Sequence, residues 1–476
     1  MTLHDRRLVL LAVGALLVLA SGCATHTRKM LELRPRLADG EYDRALALVD
    51  QEMGGKDRAL AALERGLILR QAGRWQESNV AFEEAERLAD ELYGTSVSES
   101  AISLFTNDTA TSYRPRPFEL AMVPYYRALN YLALGLPDDA LVEARKASLL
   151  LAGYVDVTVG AIQDGDTSAL ARTRNDPFLL YFSGMLYDWD GELNDAFIAY
   201  RNAAVAYEDL AGLVGVTVPP WLGRDLERVA ARLGFGAELE PLRQSCPEVF
   251  RAAEATPPTA LTPGRGELVL LVENGWIAAK GESKLSLPIF ASDRYDDNER
   301  WAWVITDRAR HHVVVSDREV AYWLSVAMPT APVSLTPDRP VSLRDPEGRT
   351  IRSVRAHHPS TVARITADAE SGMVLFRAVL RSLVKYLSYR AANKEGKGLG
   401  LLVNIFNVAS EVADTRSWLT LPDHLQLLRV SLPAGVYDLD LRLEDTDGRQ
   451  LGVVTVPQVR IVAGDWTFRS HRIYNP

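Results

Sequence analysis

The sequence predicts an α+β multidomain protein in which an N-terminal α-helical solenoid of repeats is followed by a β-sandwich-like domain with a helical-hairpin insertion. Three observations lead to this prediction. A helix-turn-helix template recurs three times in the first half, a proline- and glycine-rich stretch follows it, and segments beyond that stretch alternate between apolar and polar residues. Apolar residues three or four positions apart pack on one side of a helix, whereas strict alternation is typical of a strand with one face in water.

Length and composition divide the chain into segments. A chain of 476 residues exceeds what one apolar core usually holds, so more than one domain is expected. Residues 1–22 are predicted to form a signal peptide and residues 23–254 a repeat domain. The stretch 255–266 contains three prolines and two glycines, which suits an extended linker. A β-rich domain over 267–476 follows, with a helical insertion at about 360–414.

The residues before Cys23 have the form of an export signal. Two arginines precede the apolar stretch Leu8–Ala20, which is too short to span a bilayer as a helix. Ala20-Ser21-Gly22-Cys23 resembles the lipobox of bacterial lipoproteins, in which the cysteine thiol is acylated and becomes the mature N-terminus. Ala24 in the next position is typical of export to the outer membrane. We therefore expect a lipid anchor at Cys23; the alternative is a signal without lipidation that happens to end at a cysteine.

One template recurs three times in the N-terminal half. Its positions are Gly66, Leu69, Gly73, Phe82 and Ala85 in the first copy, Ala128, Tyr131, Gly135, Ala140 and Ala144 in the second, and Gly184, Tyr187, Gly191, Ala196 and Tyr200 in the third. The spacing resembles that of the tetratricopeptide repeat (TPR), a helix-turn-helix unit. The small residue that opens each copy lets the two helices approach closely. The glycine seven positions later fits a turn with positive φ, a conformation that costs glycine little.

Insertions separate the repeats. Consecutive turn glycines stand 62 and 56 residues apart, whereas the usual TPR period is about 34. We place the additional segments near 92–120 and 152–176, and long insertions of this kind are functional loops or extra helices. Residues Trp221–Leu242 then follow helical spacing and are predicted to cap the end of the solenoid.

Solenoids of this kind usually bind peptides or protein surfaces on a concave face. Apolar and aromatic residues at template positions are predicted to pack in the core, because side chains at helical spacing usually do. The better candidates for contact with a partner lie off the template, at Asn130, Glu143 and Arg145. A helix face that is simply in water remains the alternative interpretation for these three residues.

The second half contains short segments that are typical of strands. The predicted strands are Glu267–Glu273, Trp301–Thr306, His312–Ser316, Ile351–Ala356, Leu425–Leu432, Val436–Leu443, Leu451–Val456, Val459–Val462 and Trp466–Ile473. Asn274-Gly275 is a favourable turn, and it is expected to lead into another strand at Trp276–Lys280. Residues 437–443 alternate strictly, which predicts a strand with one wet face.

A helical segment interrupts the strands. Apolar residues of Phe376–Leu387 form one stripe, and Arg377, Arg381 and Lys385 form a second stripe at four-residue spacing. A second apolar helix is predicted at Leu399–Val412. One interpretation is a hairpin that packs its apolar stripe on the sheet and keeps its basic edge in water. The other is a surface for anionic partners, either phospholipid head groups or cell-wall polymer.

Composition and motifs argue against several classes of function. The formal net charge of −9 does not suit general nucleic-acid binding, which needs a basic surface. The nucleophile-elbow, zinc-protease and phosphate-loop motifs are absent from the sequence. Neighbouring histidines in His311-His312 and His357-His358 would point to opposite faces of a strand, so neither pair is a natural metal site. We therefore expect no enzyme activity, catalytic residue, metal or cofactor.

Two further features have a structural explanation. The string Asp414-Thr415-Arg416-Ser417-Trp418 is dense in polar and aromatic residues, and a capped helix end with a local Asp–Arg pair accounts for it. Once Cys23 is acylated, Cys246 is the remaining cysteine, so no internal disulfide can form. Cys246 is either a buried small hydrophobic residue or an exposed free thiol.

Several characteristic strings occur together along the chain. They are Asn107-Asp108, Phe118-Glu119, Ala128-Leu129-Asn130-Tyr131-Leu132, Val142-Glu143-Ala144-Arg145, Val272-Glu273-Asn274-Gly275, Ala413-Asp414-Thr415-Arg416-Ser417-Trp418 and Leu421-Pro422. Together they resemble a family of bacterial tetratricopeptide-repeat outer-membrane lipoproteins of uncharacterised function, over most of the chain. Members are often encoded near lipoproteins that activate penicillin-binding proteins, and the resemblance therefore implies a role in the cell envelope. It supplies no catalytic residues.

These observations favour a lipid-anchored periplasmic adaptor or scaffold at the outer membrane, whose repeats bind another envelope protein. The alternative is an envelope lipoprotein that binds peptidoglycan or another glycan, and an envelope enzyme ranks lowest. The expected partners are envelope proteins at the repeats, the membrane at the N-terminal lipid and, under the alternative, peptidoglycan. Nucleic acid is not expected as a partner.

Overall fold

The computed structural model describes residues 26–94, 111–159, 175–254, 263–290, 304–306, 320–395, 413–445 and 447–475. Several sequence predictions fall outside these residues. They are the signal peptide with Cys23, the strand at His312–Ser316, the helix at Leu399–Val412 and most of the linker at 255–266.

The first half of the chain is helical. Its α-helices are α1 (His26–Met30), α2 (Leu33–Ala38), α3 (Tyr42–Glu52), α4 (Arg58–Gln71), α5 (Trp75–Gly94), α6 (Pro117–Leu134), α7 (Pro137–Val159), α8 (Pro177–Asp190), α9 (Leu193–Val214), α10 (Pro220–Leu233), α11 (Gly236–Ser245) and α12 (Pro247–Glu254). The pairs α4/α5, α6/α7 and α8/α9 pack against each other, one pair for each copy of the template. The helices α10 to α12 follow the third pair, where the sequence predicts a cap.

The template glycines explain how each pair packs. A Cβ on Gly66 would lie 2.4 Å from the ring of Phe82, and a Cβ on Gly184 would lie 2.5 Å from the ring of Tyr200. These distances are shorter than a van der Waals contact, so only glycine permits this approach of the first helix to the second. The turn glycines have φ angles of +74°, +72° and +88° at positions 73, 135 and 191. TPR-like helical repeats are thus present in the N-terminal half, as predicted.

The second half contains three sheets and a long helix. Its strands are β1 (Arg265–Asn274), β2 (Gly281–Phe290), β3 (Val304–Thr306), β4 (Val320–Thr330), β5 (Val341–Arg344), β6 (Thr350–Arg352), β7 (Val354–His357), β8 (His424–Pro433), β9 (Gly435–Glu444), β10 (Gln450–Ile461) and β11 (Trp466–Ile473), and its helix is α13 (Pro359–Glu395). Sheet I has the order β11-β1-β8-β7, sheet II the order β10-β9-β5-β6, and sheet III the order β3-β2-β4. In sheet I, β1 pairs parallel with β11 and antiparallel with β8.

Sheet I lies between the helices and sheet II. Side chains such as Leu268 and Leu270 form one apolar core with Leu441 of sheet II, which makes the predicted sandwich. Val269 and Leu271, on the opposite face of β1, belong to the core of the helical repeats. Because β1 is covered on both faces, its sequence is a continuous apolar run rather than an alternating one. The α+β prediction is confirmed, and the repeats share an apolar core with the sheet.

Strand β9 shows the alternation that its sequence predicts. Leu439, Leu441 and Leu443 are buried against sheet I, whereas Asp438 and Asp440, which alternate with them, are exposed. The two strands predicted at 451–456 and 459–462 form the single strand β10, which has an irregular register between Val456 and Val459.

Several local predictions are corrected by the structure. The chain turns at Gly275, with φ +58°, but 276–280 is not a strand, and β1 pairs with strands distant in sequence instead. Residues 413–418 contain no helix themselves, and the helix whose end they are predicted to cap lies outside the described residues. The strands β2, β4 and β5 are additional to those that the sequence predicts. Within the residues that the structure describes, no helix is both long and apolar enough to cross a membrane.

Candidate functional site

The inner face of the repeats is covered by the protein's own C-terminal half. The first helices of the three pairs, α4, α6 and α8, face sheet I and the segment that leads into β8. We call this segment, residues 413–423, the docking segment. It has no regular secondary structure up to β8, yet nearly all of its residues are buried.

Trp418 is the apolar centre of the docking segment. Its side chain is completely buried, and its ring lies 5.9 Å from the ring of Phe82 and 6.0 Å from that of Tyr126, both edge-on. Its Nε1 donates a hydrogen bond of 3.0 Å to Thr420 Oγ1. The indole therefore fills the space between the first and second repeats with its one polar atom satisfied.

Two buried carboxylates receive the backbone of the docking segment. The N–H of Trp418 donates to Glu119 Oε1 at 2.9 Å, and the N–H of Leu419 donates to Glu64 Oε1 at 2.7 Å. The hydroxyl of Thr420 also donates to Glu64. Irregular backbone can be buried only if its N–H and C=O groups form hydrogen bonds. Here Glu64 and Glu119 accept the hydrogen bonds that a neighbouring strand would accept in a sheet. Burial raises the pKa of Glu64 to about 7.

The pKa of Glu64 predicts a pH-dependent stability. Because the folded pKa of about 7 exceeds the usual value of 4.5, the protonated form is favoured by folding. Protonated Glu64 contributes fully to the free energy of unfolding below pH 4.5. This contribution is lost as the pH rises through 7, and the total loss approaches about 3 kcal/mol. We expect wild-type stability, measured relative to the Glu64→Gln variant by urea unfolding, to fall by this amount over that range. The exposed Glu77→Gln change serves as a control, and parallel pH profiles for wild type and Glu64→Gln would contradict the assignment.

Arg416 fixes the start of the docking segment. Its guanidinium donates to Asp414 and to Asp57, each at 2.7 Å, and lies 5.6 Å from the ring centre of Tyr113. The local Asp–Arg pair that the sequence predicts is therefore present. The sequence could not reveal its second partner, because Asp57 stands in the turn before α4, far away along the chain.

A buried ion-pair network joins the third repeat to sheet I. Arg429 of β8 donates to Glu267 of β1 at 3.1 Å, to the Tyr181 hydroxyl at 2.8 Å, and to Asp225 of α10. The three charged side chains are no more than 3% exposed. Arg429 also stacks on Trp466, at 4.7 Å from the ring centre. Burial raises the pKa of Glu267 in spite of the neighbouring guanidinium.

Asn130, predicted to contact a partner, lies inside this internal interface. It is completely buried; its Oδ1 accepts from Arg70 at 2.6 Å and its Nδ2 donates to Ser78 at 2.9 Å. Arg70 in turn donates to Ser470 of β11. The groove that would present Asn130 to another protein is occupied by sheet I. Its partner-binding role remains a prediction that this burial does not favour.

The other two candidates on the second repeat lie in different surroundings. Glu143 is 1% exposed and pairs with Arg127 at 3.2 Å, so it belongs to the packing between helices. The side chain of Arg145 is 47% exposed and pairs with Glu192 at 2.5 Å. Arg145 is thus the one of these three candidates that a partner could reach directly.

The helix α13 has the opposite orientation to the one that its sequence predicts. Arg381 is 1% exposed, while Arg377 and Lys385 are half-buried, so the three do not form an exposed basic stripe. The exposed face instead carries Leu375, Phe376, Val379, Leu383 and Leu387, which are 42–63% exposed. The prediction that this apolar stripe packs on the sheet is wrong, because Ala378, Arg381 and Ser382 form the buried side. The glycan-binding alternative therefore loses one of its two possible sites, the basic stripe, and the β-rich domain remains the other.

The outer face of the repeats carries apolar side chains at equivalent positions. Val80, Val142 and Ile198 are 67%, 46% and 40% exposed, and each stands seven residues after the turn glycine of its repeat. We call these three residues the outer row. Equal template positions recur on successive second helices, here α5, α7 and α9, so the row follows the axis of the solenoid. An exposed acidic residue precedes each member by three positions, at Glu77, Asp139 and Asp195.

His357 and His358 have internal partners, and Cys246 is buried. His357 pairs with Asp176 at 3.1 Å, and His358 pairs with Asp423 at 3.5 Å, whereas the pair at 311–312 lies outside the described residues. Among the residues that the structure covers, no group of three or more His, Cys, Asp or Glu side chains could hold a metal ion. Cys246 is 1% exposed, and burial raises the pKa of its thiol, so it is a buried small residue.

Sequence reasoning missed the buried carboxylates that hold the docking segment. Glu64 stands alone in the run Ala59–Leu69, in which apolar residues occupy most of the other positions. An acidic residue in a helix that is apolar on all sides is a usable signal, because such a helix is buried and its charge needs partners. Glu119 gave a weaker signal, since an acid in the first turn of a helix is common.

Comparison with known proteins shows only a distant likeness. No known protein family matches the sequence, and no curated protein does. Among solved structures, TPR-like repeats of a kinesin-light-chain type from Podosopora anserina share 13% identity with a TM-score of 0.28, covering 49% of this chain and 100% of that one. BtubC from P. vanneervenii shares 12% identity with a TM-score of 0.29, covering 50% and 92%. These neighbours are repeat proteins, and the assignment of repeats here rests on the chain's own geometry.

Proposed function

We propose that this protein is a lipid-anchored adaptor on the periplasmic side of the outer membrane, and that it binds another envelope protein through the outer row. The observation that carries this proposal is the repetition of an exposed aliphatic side chain at one template position in Val80, Val142 and Ile198. Single exposed apolar residues are normal, but a row in register across three repeats is a feature of binding surfaces. The inner face is unavailable, because sheet I and the docking segment fill it.

The charges beside the outer row define the partner's chemistry. Asp139 and Asp195 are exposed and form no ion pair with any described residue, while Glu77 pairs with Arg74. The chain as a whole carries a formal charge of −9. A complementary partner therefore presents aliphatic side chains flanked by lysine or arginine, as an amphipathic helix does.

The anchor would hold the start of the fold near the bilayer. If Cys23 is acylated, only two residues lie between it and His26, and the three extended steps from Cys23 to His26 span only about 10 Å. The first helix, α1, is fixed to the docking segment, because Thr27 Oγ1 lies 2.7 Å from both the carbonyl oxygen and the Oγ1 of Thr415. The proposal thus places this part of the molecule at the membrane surface, with no long tether.

The outer row predicts a specific loss of binding. We expect the double change Val142→Asp and Ile198→Asp to lower the yield of in-cell photo-crosslinking from position 145 to its main partner by at least tenfold. The reason is that the apolar contact is lost and negative charge is added. Val436→Asp, a change at a residue of sheet II that is 54% exposed, is the matched control and should leave the yield unchanged.

Two further measurements complete this test. The purified partner should bind the wild-type protein more weakly as the salt concentration rises, because basic side chains of the partner meet the acidic residues Glu77, Asp139 and Asp195 beside the outer row. Radiolabelled palmitate should enter the wild-type protein and fail to enter Cys23→Ser. Equal crosslinking by the double variant would rule out the outer row, and palmitate in the serine variant would rule out the anchor.

A further inference from the structure

The outward side of α13 is apolar. Between residues 372 and 387, every exposed side chain that the structure describes is aliphatic or aromatic. We call these residues, each 42–63% exposed, the α13 stripe: Leu375, Phe376, Val379, Leu383 and Leu387. They recur mostly at intervals of three or four positions, so they share one side of the helix over about 20 Å. The face that a helix turns toward water is normally polar, and the α13 stripe departs from that rule.

The buried side of α13 is the polar one. Arg381 and Ser382 are each 1% exposed, and Arg377 and Lys385 are half-buried. The helix thus turns its charged side chains toward the protein and its apolar side chains away from it. This is the reverse of a helix on a water-exposed surface. It is typical of a helix in contact with lipid, because such helices keep charged side chains away from the acyl chains.

The charge of this part of α13 is opposite to that of the whole chain. Residues 371–387 contain three basic residues and no acidic residue, whereas the chain has a formal net charge of −9. Long basic side chains can lay their stems along an apolar surface and direct their charged ends to phosphate groups. An apolar stripe on a basic helix is therefore the pattern of a helix that lies in the interface of an anionic bilayer.

The start of α13 lies close to the first helix of the fold. Ser417 of the docking segment and Ala367 of α13 line the same small cavity. Two residues before Ser417, the Oγ1 of Thr415 lies 2.7 Å from the Oγ1 of Thr27 in α1. The α13 stripe begins eight residues beyond Ala367, which is about 12 Å along the helix. A lipid at Cys23 would therefore leave the α13 stripe within reach of the same bilayer.

We propose that the α13 stripe is a second membrane contact, which lies in the interface of a bilayer that contains anionic phospholipid. This inference rests on the envelope location proposed above, but the contact itself does not require acylation of Cys23. The helix lies along the bilayer rather than across it, because it also packs on β4. Its apolar side chains enter the bilayer by about 5–10 Å. Two points of attachment would fix the orientation of the protein, and with it the direction in which the outer row faces.

Two other classes of partner fit the α13 stripe less well. A protein interface usually has a polar rim and about one hydrogen bond per 100–200 Å². The α13 stripe offers no hydrogen-bonding side chain to such a partner. A cell-wall polymer is hydrophilic, so its binding would leave the apolar side chains in water. A bilayer provides both the apolar phase and the negative charge that this helix matches.

Spin labelling of the full chain tests the proposal. The label is attached at Val379→Cys in a chain that also carries Cys23→Ser and Cys246→Ala, so that no other thiol reacts and no acyl anchor forms. The probe is a vesicle of phosphatidylglycerol and phosphatidylcholine. We expect the ratio of oxygen accessibility to that of a water-soluble nickel complex to be about tenfold higher at position 379 than at Val436→Cys. Val436 of sheet II, which is 54% exposed, is the matched control.

Substitutions in the α13 stripe should remove this signal. We expect Phe376→Asp with Leu383→Asp to lower the accessibility ratio at position 379 to that of the control. Val436→Asp with Leu451→Asp adds the same charge at positions of sheet II that are 54% and 49% exposed, and should leave the ratio at 379 unchanged. Both double variants should keep the melting temperature of the parent, because the replaced side chains are exposed. Vesicles of phosphatidylcholine alone should give a lower ratio at 379, since they lack the negative charge.

Each other outcome overturns the proposal. A label at position 379 that stays accessible to nickel on the anionic vesicles removes the contact, even if the N-terminal residues hold the protein on them. Without vesicles, spin–spin broadening would show that a second copy covers the α13 stripe. An immobilised label without broadening would show that this chain covers it, for example with residues 396–412. Failure of palmitate to enter the wild-type protein concerns only the anchor, because the label is measured in Cys23→Ser.

Discussion

Replacing Trp418 by alanine is expected to lower the free energy of unfolding by about 3–5 kcal/mol. The side chain is completely buried between the rings of Phe82 and Tyr126, so its removal leaves a large cavity between the repeats and the docking segment. The loss should appear in urea unfolding as a lower midpoint with a nearly unchanged slope.

Two variants separate this effect from a general loss of apolar surface. Trp418→Phe keeps most of the volume and removes the hydrogen bond to Thr420, so we expect a smaller loss of about 1–2 kcal/mol. Phe376→Ala removes an aromatic ring that is 63% exposed on α13 and should change stability by no more than about 0.5 kcal/mol. Equal effects of Trp418→Ala and Phe376→Ala would show that the docking segment is not packed as described.

The second large effect is expected at Arg429. In Arg429→Met the carboxylates of Asp225 and Glu267 remain buried without their shared counter-ion, and the expected loss is about 3–5 kcal/mol at neutral pH. The penalty should diminish as the pH falls, because burial raises the pKa of Glu267 and protonation neutralises it. Urea unfolding at pH 7.5 and pH 5 measures the difference.

A compensating variant distinguishes charge from packing. The triple change Arg429→Met, Asp225→Asn and Glu267→Gln removes the three fully buried charges and should recover most of the lost stability. Arg228, which also pairs with Asp225, keeps Asp188 as its partner. Arg251→Met breaks an exposed pair with Glu248 and should cost less than about 1 kcal/mol. If the triple variant is as unstable as Arg429→Met, loss of the stacking on Trp466 dominates and the electrostatic explanation fails.

Both variants act on the interface between the repeats and sheet I. That interface uses the face with which helical solenoids commonly bind other molecules. Here the occupant is part of the same chain: an irregular segment held through its backbone by two carboxylates, with an aromatic anchor between two repeats. A partner protein would therefore have to use the outer row or another surface.

The sequence alone determined the features that depend on neighbours along the chain. The template glycines predicted the helix pairs and their turns, because close approach and positive φ are properties of a few adjacent residues. The alternation in 437–443 predicted β9 and its buried leucines for the same reason. The same local patterns place the helices before the sheets along the chain, and this order predicts the α+β fold class.

Only the tertiary structure decided which faces are covered. The sequence predicts that Asn130 and Arg381 lie on helix faces exposed to water, yet both side chains are buried. The sequence at 414–418 resembles a motif that is stabilised locally. Its hydrogen-bond partners Asp57 and Glu119, however, lie hundreds of residues away along the chain. Burial of a polar side chain depends on whether a distant segment supplies its hydrogen bonds, and no local pattern records that pairing.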